Sequence, residues 1–173
     1  MKRHVAATLL GVLSLLIIDS HVDWVAQDNR GLLQVSGQRF DMRGRWAEFW
    51  RQWHTDCRLV QAEKPNSANA QAVLQAIQAH SLPDSLQAQL LQLQLQAPWA
   101  IAEVTFTRLN PSIVVLQQSD GRWHILDHAI WSGSTAPWFA ADFVRRYLRQ
   151  RAPQLPEELL NCVPIDPRRY ASN

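Results

Sequence analysis

The alternation of apolar and polar residues between Trp99 and Gly133 predicts three antiparallel strands in a meander. The segment is rich in the β-branched and aromatic residues that strands favour: Val104, Phe106, Ile113, Val115, Trp123, Ile125, Ile130 and Trp131. Asn110-Pro111 separates the first two strands, and Ser119-Asp120-Gly121 supplies the second turn, where glycine can take a positive φ. We therefore expect this meander to be the centre of the fold.

A helical period predicts an amphipathic helix over Arg45–Val60. Its apolar residues recur at spacings of three and four, so they share one face, and three of them are tryptophans: Trp46, Trp50 and Trp53. The sheet needs a cover on its apolar face, so we expect Trp50 and Trp53 to be buried against the meander. The alternative is that the three tryptophans form a recognition surface for a ligand or partner.

Further helices are predicted on both sides of the meander. Ser67 is a candidate N-cap for a helix that extends to Ala79. Asp84 with Gln87 fits a capping box and predicts a third helix, although the alternation in LQLQLQ also fits a strand. An amphipathic helix is predicted over Trp138–Arg151, and a last short helical turn over Glu157–Asn161. The segment Gly31–Met42 suggests a short hairpin or an extended arm that turns at Ser36-Gly37.

These elements predict an α+β fold. We expect a small antiparallel sheet, consisting of the three-stranded meander with a fourth strand as an option, covered on one face by several helices. A hydrophobic N-terminal helix precedes it. We divide the chain into an N-terminal segment (1–18), a juxtamembrane linker (19–30), a single α+β domain (31–163) and an extended tail (164–173).

The N-terminal segment has the pattern of an export signal. Lys2 and Arg3 precede the apolar run Val5–Ile18, and acidic residues follow it; this places the N-terminus in the cytoplasm and the rest across the membrane. No A-x-A cleavage site is present, which favours an uncleaved signal-anchor. We therefore expect the bulk of the chain in the periplasm, held at a bacterial inner membrane. The alternatives are a soluble periplasmic protein after cleavage and a buried helix of a cytoplasmic protein.

The two cysteines fit an oxidising compartment. Cys57 and Cys162 are too few and too far apart for a zinc site, so we predict a disulfide between them. The alternative is two buried free thiols. In that case His54 would lie one helical turn from Cys57, where a histidine could lower the pKa of the thiol.

Charge and motif content exclude several function classes. The net charge is only +2 among 173 residues, which argues against nucleic acid as a partner because such binding needs several phosphate contacts. His124 and His128 would lie about 13 Å apart along a strand, too far to share a metal. The segment around Ser132 and Ser134 lacks a nucleophile elbow. We therefore expect no metal and no cofactor.

Two function hypotheses remain. The first is a non-enzymatic interaction module of the envelope, an accessory component of an envelope or secretion assembly that binds other envelope proteins. The second is a periplasmic enzyme or binder that acts on peptidoglycan or another glycan. It would use the tryptophan stripe with Glu103 and Asp127, because glycoside hydrolysis requires two convergent carboxylates. Burial of the three tryptophans against the sheet would remove the main support of the second hypothesis, whereas an open cleft lined by the tryptophans and a carboxylate would strengthen it.

Overall fold

The computed structural model of the chain describes residues 22–170. These residues form two compact units that divide after Trp50. The predicted hydrophobic helix over Val5–Ile18 lies outside the described residues. Between residues 22 and 170, no helix is both long and apolar enough to cross a membrane.

The first unit contains a three-stranded antiparallel sheet in the order β1-β2-β3. Its strands are β1 (Val22–Gln27), β2 (Arg30–Val35) and β3 (Gln38–Phe40). The predicted turn at Ser36-Gly37 is confirmed: both residues have positive φ, 49° and 83°, as tight hairpin turns require. β1 was not predicted, since its residues fall in the range interpreted as a linker. Helix α1 (Met42–His54) follows β3.

The second unit contains a five-stranded antiparallel sheet in the order β4-β5-β6-β7-β8. The strands are β4 (Gln61–Ala62), β5 (Gln89–Gln96), β6 (Trp99–Thr105), β7 (Ser112–Ser119) and β8 (Arg122–Ser132). The last three form the predicted meander, paired in register Ile101↔Val115 and Ile113↔Trp131. The α+β class is therefore confirmed, with a larger sheet than the sequence predicted.

The predicted third helix is wrong. Asp84–Gln87 forms only one 3₁₀ turn, and the chain then extends into β5. The period-two pattern dominates because Leu93 and Leu95 are buried on one face of the sheet. A register shift between Leu90 and Gln92 is a local irregularity of the kind produced by a β-bulge. Burial of Leu93, Gln94 and Leu95 outweighs the helix propensity of the Gln and Leu residues in this strand.

Helices cover both faces of the five-stranded sheet, so the expectation of cover on one face is also wrong. On one face, Val73 and Ile77 of α2 (Ala68–His80) pack on Leu93, Ala102 and Leu116. On the other face, α3 (Ala140–Arg151) and α4 (Glu157–Cys162) contribute to a second cluster: Ile101, Ile113, Val115, Trp131, Val144, Leu148, Leu159 and Leu160. β6 is buried from Trp99 to Val104, as expected for a strand between two layers.

Two local predictions in this unit are confirmed. Ser67 caps α2, because its side chain accepts a hydrogen bond from the Ala70 N–H at 3.1 Å. Cys57 and Cys162 form a disulfide with their Cα atoms 5.8 Å apart. This bond joins the last residue of α4 to the segment that precedes β4. It removes the free Cys57 thiol on which a His54–Cys57 pair would depend.

Candidate functional site

The apolar residues of α1 form one continuous stripe. At 3.6 residues per turn they fall within an arc of about 100° around the helix axis; we call these five residues the aromatic stripe: Met42, Trp46, Phe49, Trp50 and Trp53. The Trp46 ring centroid lies 5.8 Å from those of both Phe49 and Trp50. These distances are within the range of favourable aromatic pairs, so the rings form a cluster along the helix surface.

The aromatic stripe is exposed, and the prediction that Trp50 and Trp53 are buried is wrong. The exposed fractions are 61% for Trp46, 42% for Trp50 and 75% for Trp53. No residue of α1 is buried. The physical reason is that α2, α3 and α4 already cover the two faces of the five-stranded sheet. A helical period shows that a face is apolar, but not what covers it.

The polar side of α1 is the side that is partly covered. Gly44, Glu48 and Arg51 are half-buried, and they lie opposite the aromatic stripe at 3.6 residues per turn. α1 is therefore oriented with its polar side inward and its aromatic side outward. This is the reverse of the usual arrangement in a globular protein.

Asp41 fixes the start of α1. Its Oδ1 accepts a hydrogen bond from the Gly44 N–H at 2.8 Å, which caps the helix, and its Oδ2 is 2.7 Å from Arg30 Nη1 on β2. Gly44 permits this approach, because a Cβ at that position would lie 2.2 Å from Oδ2 of Asp41. The cap thus ties the helix to the three-stranded sheet through polar contacts.

Arginines flank the aromatic stripe on both sides. On a helical projection Arg45 lies next to Phe49 at one edge, and Arg43 lies next to Trp50 at the other. Arg51 adds a third positive charge to α1, and Glu48 is its only acidic residue. The surface is therefore aromatic along its middle and basic at its borders.

Glu103 occupies a different position, inside the second unit. It is 1% exposed, and three groups donate to its carboxylate: Tyr170 Oη at 2.5 Å, Arg169 Nη1 at 2.6 Å and Gln92 Nε2 at 2.6 Å. Burial and the hydrogen bond to Glu103 raise the pKa of Tyr170 far above its ordinary value, so its hydroxyl stays protonated and donates. The carboxylate is enclosed and fastens the C-terminal segment to β6.

Asp127 does not share a site with Glu103. Its side chain is 82% exposed and lies 3.8 Å from His80, the last residue of α2. Glu103 contacts Tyr170, which belongs to the core cluster on the opposite face. The two carboxylates therefore lie on opposite faces of the sheet. They cannot act together on one glycosidic bond.

A cavity of about 410 Å³ lies beside the turn between β5 and β6. Its lining combines neutral amides with apolar side chains: Leu59, Gln61, Asn69, Leu95, Gln96, Ala97, Gln118 and Trp123. Trp123 packs partly on the core, and Oε1 of Gln96 is buried without a hydrogen-bond partner. The sequence did not predict this cavity because its lining residues come from five separate segments of the chain. The amide side chains near the strand ends are the feature that could have suggested it.

The remaining candidates do not assemble into a chemical site. His124 and His128 lie on β8 with Ser132 at its end, and Ser134 follows in the next loop. In the part of the chain that the structure describes, no group of three or more His, Cys, Asp or Glu residues could hold a metal ion. The tail also differs from the prediction: Pro167–Tyr170 forms a 3₁₀ turn and Tyr170 is buried.

Comparison of the chain with protein-family models, with curated proteins and with solved structures gave no match.

Proposed function

We propose that the protein is a non-enzymatic interaction module of the bacterial envelope, held at the inner membrane through residues 5–18 with the rest of the chain in the periplasm. The aromatic stripe is its contact surface. In this proposal the module is an accessory component of an envelope or secretion assembly, and other envelope proteins are its partners. The observation that carries the proposal is the outward orientation of Trp46, Trp50 and Trp53.

The aromatic stripe is a large and continuous apolar surface. An aromatic side chain buries about 150–250 Å² when it is fully covered, and between 42% and 75% of each of the three tryptophans is still exposed. They adjoin Phe49 and Met42, both 49% exposed. Contiguous apolar patches of several hundred Å² on a soluble surface mark sites of interaction with a protein or a membrane. Exposing a stripe of this size to water is unfavourable, and covering it with a binding partner would recover that free energy.

The position of Glu103 supports a module without hydrolytic chemistry. A catalytic acid of a glycosidase must reach the leaving-group oxygen, and its partner must lie about 5–10 Å away. The Glu103 carboxylate is instead enclosed by Tyr170, Arg169 and Gln92, and Asp127 lies on the other face of the sheet. The disulfide between Cys57 and Cys162 supports the periplasmic location, since such bonds persist in oxidising compartments.

The alternative function, a glycan binder, is supported by the cavity beside the β5–β6 turn and not by the residues that the sequence suggested for it. The cavity beside the β5–β6 turn offers neutral amides and the partly exposed ring of Trp123. A flat ring with amide donors and acceptors suits a neutral polyhydroxylated ligand. The buried Gln96 Oε1 would gain a partner from such a ligand. This candidate needs neither carboxylate nor the aromatic stripe.

Photo-crosslinking in living cells tests whether the aromatic stripe is a contact surface. A benzophenone amino acid is placed at Phe49, on the stripe, and in a second variant at Ala47, which is exposed on another side of the same helix. We expect adducts, whether to protein or to lipid, at position 49 with several-fold higher yield than at position 47. Equal, low yields at both positions would contradict the proposal and leave the cavity beside Trp123 as the better candidate.

A further inference from the structure

We propose that the aromatic stripe binds a lipid surface: the headgroup region of the membrane that holds residues 5–18, with anionic phospholipids as its preferred component. This inference rests on the proposed function, because it takes the stripe as the contact surface and names the chemistry of what covers it. The helix would lie in the plane of the interface, with its aromatic side in the headgroup layer and its polar side toward the protein.

The distribution of residue types on α1 supports a lipid surface. Tryptophan is enriched at membrane–water interfaces, where its ring is apolar and its indole N–H meets headgroups. Interfacial helices combine a marked amphipathic pattern with low overall hydrophobicity, aromatic residues on one side and Lys or Arg on the other. α1 has this composition: four aromatic residues on one arc and three arginines outside it.

The charges of α1 complement anionic headgroups. Arg43 and Arg45 border the stripe on its two edges. Long arginine side chains can extend along an apolar surface and place their charge at the phosphate level. Basic residues near a membrane surface are attracted to anionic lipids. A protein groove that accepts a single aromatic helix would not require a cation on each border.

The chain connection brings α1 to the membrane. The apolar run ends at Ile18 and β1 begins at Val22, and a link of this length spans at most about 14 Å even when extended. The three-stranded sheet and the start of α1 belong to one compact unit. Trp24 on β1 is also 61% exposed in this unit. Anchoring through residues 5–18 would therefore present α1 to a lipid surface at high effective concentration.

Fluorescence of a site-specific probe measures whether the stripe enters the lipid. The full chain is reconstituted into vesicles of phosphatidylethanolamine with phosphatidylglycerol, or of phosphatidylcholine alone. An environment-sensitive probe is attached at Phe49→Cys or, as the matched control, at Ala47→Cys. We expect the emission at position 49 to shift to shorter wavelength and to be quenched by lipids brominated near the headgroup. The probe at position 47 should remain accessible to aqueous iodide.

A charge variant tests the preference for anionic lipid. In the Phe49→Cys background, Arg43→Gln with Arg45→Gln should reduce lipid quenching several-fold in vesicles that contain phosphatidylglycerol, with little change in phosphatidylcholine. Equal exposure of both probes to iodide in both kinds of vesicle would overturn the lipid proposal. If position 49 still gave protein adducts in cells, the proposed function would stand with a protein partner. If position 49 gave no adducts, both proposals would fall.

Discussion

Replacing Glu103 by alanine is expected to lower the free energy of unfolding of the second unit by about 3 kcal/mol. The change removes the acceptor of three hydrogen bonds. It leaves the hydroxyl of Tyr170, which is 1% exposed, without its partner. Arg169 is 41% exposed, so water compensates part of its loss and keeps the expected cost at the lower end for a broken buried ion pair.

Asp127→Ala is the matched control, since it removes the other carboxylate that the sequence suggested for chemistry. Its side chain is 82% exposed, so we expect a change within about 0.5 kcal/mol. Urea denaturation of the full chain, followed by circular dichroism, measures both variants. Equal stabilities of the Glu103→Ala and Asp127→Ala proteins would show that the C-terminal segment is not fastened through Glu103.

Removal of the disulfide is expected to have a comparable or larger effect. Cys57 and Cys162 are separated by 105 residues, and a crosslink closing a loop of that length stabilises by about 4–5 kcal/mol in the chain-entropy model. The Cys57→Ser/Cys162→Ser protein should therefore melt well below the parent protein. The parent should lose the same stability when its disulfide is reduced, whereas the double variant should not respond to reductant.

The reductant response separates the disulfide from other effects of the substitutions. A thiol titration confirms that the bond is open in the reduced parent. If the fully reduced parent melted at the same temperature as the oxidised protein, the bond would contribute nothing to the stability of the fold. If the reduced parent were stable and the serine variant were not, the loss of stability would come from the serine substitutions themselves and not from opening the disulfide.

The sequence predicted those features that are determined within a few residues. The turns at Ser36-Gly37 and Ser119–Gly121, the cap at Ser67 and the meander depend on local backbone preference and on period-two alternation. The disulfide was predictable for a different reason: only two cysteines were available, and the expected compartment favours their pairing.

Features that depend on distant residues were not predictable. Arg169 and Tyr170 reach Glu103 across 66 and 67 positions, and nothing in the periodicity of the tail indicates this contact. β5 was ambiguous because its Gln and Leu residues suit a helix, while its alternation suits a strand. Burial of Leu93 and Leu95 in the core beside the sheet decided for the strand.

The exposure of the aromatic stripe also depends on distant residues. Its spacing correctly indicated one apolar face over Trp46, Trp50 and Trp53. Whether that face packs on the sheet depends on which helices compete for it, and α2, α3 and α4 occupy both faces. The three tryptophans of the aromatic stripe were therefore identified from sequence, whereas their exposure required the structure.

The measurement that tests the central claim most directly compares two tryptophans of the second unit. Trp131 is 7% exposed, with its ring centroid 4.8 Å from that of Tyr170, whereas Trp53 on the aromatic stripe is 75% exposed. In urea denaturation of the full chain, we predict that Trp131→Ala costs about 3–5 kcal/mol and that Trp53→Ala stays within about 0.5 kcal/mol of the parent. A Trp53→Ala protein destabilised as strongly as Trp131→Ala would show that the stripe is part of the core and would contradict its role as a contact surface.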